Sequence, residues 1–441
     1  RMLDVLTPWL PPSGSASPHA STITRWLLDG GMLAFALFTW LLVLVRWQLR
    51  GSARWVVWTL VAIIAYGILL RYLLPEEVAL TGWSYKRIIP LANAIFRGPL
   101  LENISRWLSL TVHLDEMAFE TNRWLAILSP LALFAHARSF LKDDKSALVA
   151  AGLLAVYPNH LRHSASDSLF IQSIFISSLA FATLYAALQE VRSRNIVASL
   201  VLFPLIAVAC YQTRPLNIIF APLFLAALFL TTRSAATSRR RVVVLGLGIV
   251  LPAIYAVTSF LLPVFAGHVE EGLRLRTLIG FARTFFDLRQ NTLTNPWITP
   301  TGLLLALLVG CVYLWQRGGI WRGKCIFLVA WLMAFFVTHG VIASMLPIFT
   351  ARYHLHLASP AILLAAAATP LLIRAPRWRI VTLVLTLYFV VTPFLHAPFI
   401  GDVDYNMQRE KRFLMATRPS VPEDCTVLEY SSPEKNRFGG A

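Results

Sequence analysis

The chain has 441 residues, 57% of them hydrophobic and 14% charged, with a mean hydropathy of +0.64. That balance excludes an ordinary soluble domain and points to repeated bilayer-spanning helices of roughly 17–25 apolar residues. The net charge of +17 (pI about 10.3) belongs, in so apolar a chain, to cationic loops that fix topology against an anionic leaflet, and no nucleic-acid partner is expected.

Residues 1–25 lack a basic-then-apolar pattern, so no cleavable signal peptide is expected. Twelve spans are predicted: 32–48, 55–74, 123–140, 146–158, 168–190, 196–212, 215–232, 241–264, 302–316, 324–346, 357–373 and 379–396. The fourth is short enough to be tilted or partly re-entrant. The predicted class is an all-α integral membrane protein. Its parts are an N-terminal segment, 1–54, with one extra span, and a transmembrane domain, 55–396, with long loops at 75–122 and 265–301. A C-terminal segment, 397–441, follows. Cys210, Cys311, Cys325 and Cys425 are scattered, with no CxxC and no metal-ligand spacing.

Basic residues set the orientation. Every second connection is rich in them: Arg46, Arg50 and Arg54; Arg138, Lys142 and Lys145; Arg192 and Arg194; Arg233 and Arg239 to Arg241; Arg317, Arg322 and Lys324; Arg374, Arg377 and Arg379. The intervening short loops carry single arginines, Arg162, Arg214 and Arg352. The first set is therefore expected in the cytoplasm, and 75–122, 265–301 and 397–441 outside, on the periplasmic face of a bacterial inner membrane. No acid falls in the middle of a span, which argues against an ion-coupled transporter.

Loop 75–122 holds six of the twenty-two carboxylates: Glu76, Glu77, Glu102, Asp115, Glu116 and Glu120. Glu76 and Glu77 directly follow a span, Asp115 and Glu116 precede the next, and 85–98 has the spacing of an interfacial amphipathic helix. Three outer connections carry basic and imidazole groups: Tyr157-Pro-Asn-His-Leu-Arg-His-Ser-Ala-Ser-Asp167, Tyr211-Gln-Thr-Arg-Pro-Leu-Asn217 and Ala351-Arg-Tyr-His-Leu-His356. Arginines there run against the orientation bias, and with histidine donors they suit a phosphate at headgroup level. The pairs His160/His163 and His354/His356 have loose spacing and no HExxH or cysteine support, so no metal or other cofactor is assigned. Loop 265–301 mixes Glu270, Glu271, Arg274, Arg276, Arg283, Asp287 and Arg289 in another interfacial pattern: a lid, an acceptor surface or plain scaffold.

The stretch from Asn122-Arg-Trp-Leu through Phe140-Leu-Lys-Asp-Asp-Lys to Val156-Tyr-Pro158, followed by Asn159-His-Leu-Arg-His-Ser-Ala-Ser-Asp167, carries a resemblance. So do Arg352-Tyr353 and the stretch beginning Asp404-Tyr-Asn-Met. Over about residues 55–430 the chain resembles the GT-C glycosyltransferases that use polyprenyl-phosphate-linked sugars, including the protein mannosyltransferase and aminoarabinose transferase relatives. The resemblance implies a catalytic carboxylate just after the span that opens the bundle, where this chain has Glu76 and Glu77. The family more often shows Asp, or Asp-Glu, before an aromatic; here Glu76-Glu77 is followed by Val78-Ala79, and the chain's Asp-Glu pair, Asp115-Glu116, comes later. It also implies a small α/β domain at the C-terminus, of which 397–441 looks like the first, truncated part.

With such a donor the phosphate is already a good leaving group. Arg162, His160, His163, Arg214, Arg352 and Tyr353 are the expected phosphate-binding groups, and a carboxylate would deprotonate the acceptor, a glycan, lipid or protein, with inversion at the anomeric centre. Rival functions are a transporter or flippase, which accounts for the spans but not the acid loop, and a membrane polysaccharide polymerase or ligase. Membrane lipids are the remaining expected partner.

Overall fold

A computed structural model describes residues 36–77, 117–166, 170–189, 193–232, 238–258, 295–343, 354–374 and 378–401. These residues are helical nearly throughout and form no β-sheet. In chain order the helices are α1 (Ala36–Leu49), α2 (Arg54–Leu73), α3 (Met117–Leu141), α4 (Asp144–Val156), α5 (Pro158–Arg162), α6 (Phe170–Gln189), α7 (Ser193–Thr213) and α8 (Phe220–Leu230). There follow α9 (Ser238–Val243), α10 (Leu251–Ala256), α11 (Thr301–Arg317), α12 (Gly319–Ala343), α13 (Ala358–Ala367), α14 (Thr369–Arg374), α15 (Arg379–Leu395) and α16 (Ala397–Gly401).

Five helical stretches among the described residues are long and apolar enough to cross a bilayer: Arg54–Leu73, Phe119–Leu141, Phe170–Leu188, Gly319–Thr338 and Leu355–Ile373. At ~1.5 Å per residue, a 20-residue helix such as α2 reaches ~30 Å, the thickness of a hydrocarbon core. Five shorter apolar helices accompany them, Ala36–Leu49, Asn195–Tyr211, Leu216–Leu230, Thr301–Arg317 and Ile380–Leu395.

The long helices differ in what they face. The spanning part of α6 is 94% buried, whereas that of α2 is 28% buried. A helix apolar all round and buried all round is the centre of a bundle; one apolar but open is at its rim. Helix α6 packs between α3 and α7, α3 also packs on α4, and α4 on α2. The centre is aromatic: Phe181 of α6 lies 4.7 Å from both Phe224 and Trp331, and stacks on His136 at 5.0 Å. The rim shows Trp58, Leu69, Val201, Ile380 and Leu387 outward, as a lipid-facing surface requires. Small residues permit close crossings: a Cβ on Gly310 of α11 would fall 1.7 Å from the Leu364 carbonyl oxygen of α13.

Three departures from the predicted spans have local causes. Helix α3 begins at Met117, so Glu120 lies in its first turn instead of a loop; there an acid favours the helix N-terminus and pairs with Arg123 one turn on. The predicted span 215–232 opens with a 3₁₀ turn, Pro215–Ile219, because Pro215 has no N–H to continue α7 and forces Arg214 into extended backbone. Between α9 and α10, Val244–Val250 forms a π-helical turn in which Gly248 accepts the ring of Phe203; a Cβ on Gly248 would fall 2.5 Å from that ring.

Candidate functional site

The chain's local chemistry places two polar clusters at one end of the bundle, the end reached by Glu77. In the first, α4 stops at Tyr157 because the residue before a proline disfavours helical backbone, and Pro158 then opens the one-turn helix α5. That break aims His160 back at α2. Arg71, in the last turn of α2, meets it: Arg71 Nη2 donates to His160 Nδ1 at 2.7 Å, and Nη1 donates to the carbonyls of Gly67 (2.8 Å) and Ala155 (3.2 Å). Gly67 supplies the room, since a Cβ there would fall 3.1 Å from Arg71 Nη1.

Both side chains are fully buried, at 0% exposure, and no carboxylate among the described residues pairs with Arg71. A guanidinium can only donate, so Nδ1 of His160 is the acceptor and its proton is on Nε2. That Nε2–H has no partner among the described residues. Burial, then Arg71, then His163 hold the imidazole well below its usual range, so it is neutral at physiological pH. The cluster thus presents a buried cation and a buried donor, a combination that calls for an anion.

Glu77 lies a few residues beyond Arg71. It is half-buried and 3.8 Å from Arg123, which also pairs closely with Glu120 and lies over the Tyr72 ring at 4.8 Å. Glu76 is exposed. Arg162 extends from α5 over Phe399 of α16, 4.3 Å from the ring centroid, and His163 is buried beside it in sequence. Asn122, at the start of α3, donates to the Ser166 carbonyl and accepts from Gln172 of α6, tying this connection to the central helix.

The second cluster gathers around Asn217 in the 3₁₀ turn. Its amide donates to Ser173 Oγ (3.0 Å) and to the Cys210 carbonyl (2.8 Å), and its oxygen accepts from His356 Nε2 (3.1 Å). His356 stacks on Phe335 at 4.4 Å, and Arg214 lies 3.6 Å over Phe170. The fold therefore draws two of the three basic connections, and part of the third, toward one end. Asp115, Glu116, Arg352 and Tyr353 lie outside the described residues. Among the described residues no three His, Cys, Asp or Glu groups cluster as a metal centre.

Arg71 and Arg123 are absent from the sequence-predicted set. Arg71 hides in an apolar run, yet it too is an arginine set against the orientation bias, the same signal that marks Arg162.

The described residues form an all-α bundle with a buried arginine–histidine pair and a flanking glutamate, and comparison with known structures gives the fold. Archaeal oligosaccharyltransferase AglB from Archaeoglobus fulgidus, solved with an inhibitory peptide and a dolichol-phosphate, matches with a TM-score of 0.55 at 16% identity, over 85% of this chain and 59% of that one. The Archaeoglobus fulgidus oligosaccharyltransferase tethered to an acceptor peptide containing the NVT sequon matches with a TM-score of 0.54 at 14% identity, over 84% and 58%. Its complex with Zn and sulfate matches at 0.53 and 16%, over 83% and 56%. The chain shares the membrane fold of these oligosaccharyltransferase structures and spans under three fifths of their length. No family profile and no curated protein sequence matches it.

Proposed function

We propose that the chain is a GT-C-type membrane glycosyltransferase that moves a sugar or glycan from a polyprenyl-phosphate-linked donor to an acceptor on the periplasmic face of the inner membrane. The observation that carries this is Arg71: a fully buried cation with no carboxylate partner among the described residues, bonded to a histidine whose buried Nε2–H has no partner among them either. The dolichol-phosphate bound by the archaeal neighbour supports a lipid phosphate as the anion, and its acceptor peptide supports an acceptor hydroxyl or amide as the other substrate.

In this mechanism Arg71 and the His160 Nε2–H stabilise the charge that develops on the leaving phosphate oxygen. Arg162 and Arg214 extend the positive surface for the donor. The acceptor attacks the anomeric carbon from the opposite face; its O–H or N–H bond breaks as the new glycosidic bond forms and the carbon–phosphate-oxygen bond breaks. The proton passes to a carboxylate, contributing on the order of 10²–10⁴-fold. Glu77, held by Arg123, is a better-positioned base than the exposed Glu76, and the inverted anomer is the product.

The test replaces Glu76, Glu77, Asp115 and Glu116 singly by the amide and assays transfer in membranes from a polyprenyl-phosphate sugar, with the product anomer read by NMR. Loss in the Glu77→Gln enzyme with folding retained supports the assignment. Full activity in all four variants removes carboxylate catalysis from the mechanism. Substrate uptake into proteoliposomes without transfer would favour a flippase instead.

A further inference from the structure

A second concentration of charge lies at the opposite end of the bundle, and the proposed transfer reaction does not use it. Two cavities, of about 300 and 310 Å³, flank the turn between α3 and α4 and share Lys142 as a wall. Lys142 itself has a positive φ of 60°, which reverses the chain sharply between the two helices.

The acids of this turn are already engaged. Asp144 pairs with Arg138 and accepts from Ser52 Oγ at 2.9 Å. Asp143 caps α4, accepting from both the amide and the hydroxyl of Ser146 at 2.7 Å. Among the described residues neither Lys145 nor Arg317, which line the second cavity, has an ion-pair partner. Arg317 is held on the Trp321 ring at 3.8 Å, and the Nζ of Lys324, a residue only 4% exposed, approaches the same ring at 3.9 Å. Trp321, itself part of the lining, thus holds Arg317 at the cavity edge. Leu314, Pro370 and Ile373, at the ends of membrane helices, add apolar surface to the same lining.

Cations and hydrocarbon in one lining match one ligand chemistry. We infer that the second cavity binds the headgroup of an acidic phospholipid, with Lys142, Lys145 and Arg317 on its phosphate and an acyl chain along Leu314 and Ile373. A planar guanidinium suits the phosphate oxygens, and clustered cations beside membrane helices are the usual receptor for such headgroups. A soluble phosphate would use the same cations but not the apolar surface.

The experiment uses the full chain purified in dodecylmaltoside. Retention of phosphatidylglycerol and of phosphatidylcholine is measured by native mass spectrometry, with inorganic phosphate as a competitor. Phosphatidylglycerol is expected to be retained preferentially, and Lys145→Gln and Arg317→Gln each to lower its retention by about fivefold, with Arg317→Lys retaining most of it. Equal retention of the two lipids overturns the inference, as do glutamine variants that bind like the parent. Full displacement of phosphatidylglycerol by millimolar inorganic phosphate overturns the lipid assignment in favour of a soluble phosphate compound. If a glutamine variant elutes as aggregate, the two-lipid comparison and the phosphate competition on the unaltered chain still decide the question.

Discussion

Replacing Arg71 by methionine separates a functional cation from a structural clamp. The substitution removes the bonds to His160 at 2.7 Å and to Ala155 at 3.2 Å; the Gly67 carbonyl belongs to the same helix and loses least. A hydrogen bond to a charged group contributes ~1.5–3 kcal/mol, and His160 Nδ1 becomes a buried acceptor without a donor, so the loss is ~3–4 kcal/mol. Against it stands the desolvation of a fully buried guanidinium with no carboxylate partner among the described residues, a cost of several kcal/mol that the variant relieves. The two nearly cancel, so the unliganded variant should melt within a few degrees of the parent in detergent micelles. Transfer, in contrast, should fall by ~10²–10³-fold, as when one oxyanion donor is removed. The assays are thermal unfolding by intrinsic fluorescence and transfer from a polyprenyl-phosphate sugar. A variant that melts far lower, yet keeps its transfer rate once folded, would show that Arg71 is a clamp and refute the anion-site reasoning.

Other outcomes follow from the same geometry. The folded state holds His160 neutral while the unfolded chain protonates it below about pH 6.5, so the unfolded state binds more protons and stability falls as pH drops, by at most ~1.4 kcal/mol per pH unit. His160→Asn should flatten the slope of melting temperature against pH between about 6.5 and 5; an unchanged slope assigns it to other groups. Gly310→Ala should separate α11 from α13 and lower stability by ~1–3 kcal/mol, whereas Gly246→Ala, whose Cβ meets nothing within 4 Å, should be neutral or slightly stabilising on the same melting assay. Arg123→Gln should release both Glu77 and Glu120; with Glu77 as base, the loss appears in kcat more than in KM, and an effect confined to KM points to acceptor binding instead.

What was legible in the sequence was what one-dimensional patterns encode. Apolar runs located the helices around Arg54–Leu73 and Phe170–Gln189 within a residue or two, because hydrocarbon thickness sets their length. The connections predicted after span 146–158 and between spans 196–212 and 215–232 coincide with helix breaks, at Tyr157 and at Arg214. Relative burial was not legible: α2 and α6 read alike as apolar strings, yet one faces outward and the other fills the centre. The Arg71–His160 bond was hidden for a related reason. It joins helices 89 positions apart, and nothing in the composition of either segment announces the other. Glu77 was legible as a candidate, but its hold by Arg123 depends on where α3 begins, at Met117, nearly two turns before the predicted span.

The π-helical turn at Val244–Val250 bears on how much chain this segment needs. Such a turn holds one surplus residue inside an otherwise α-helical path, so an unbroken α-helix could cover the same path with one residue fewer. Removing one residue from this stretch should therefore be tolerated, while the same deletion within α6 would rotate half of a buried helix out of register with its neighbours.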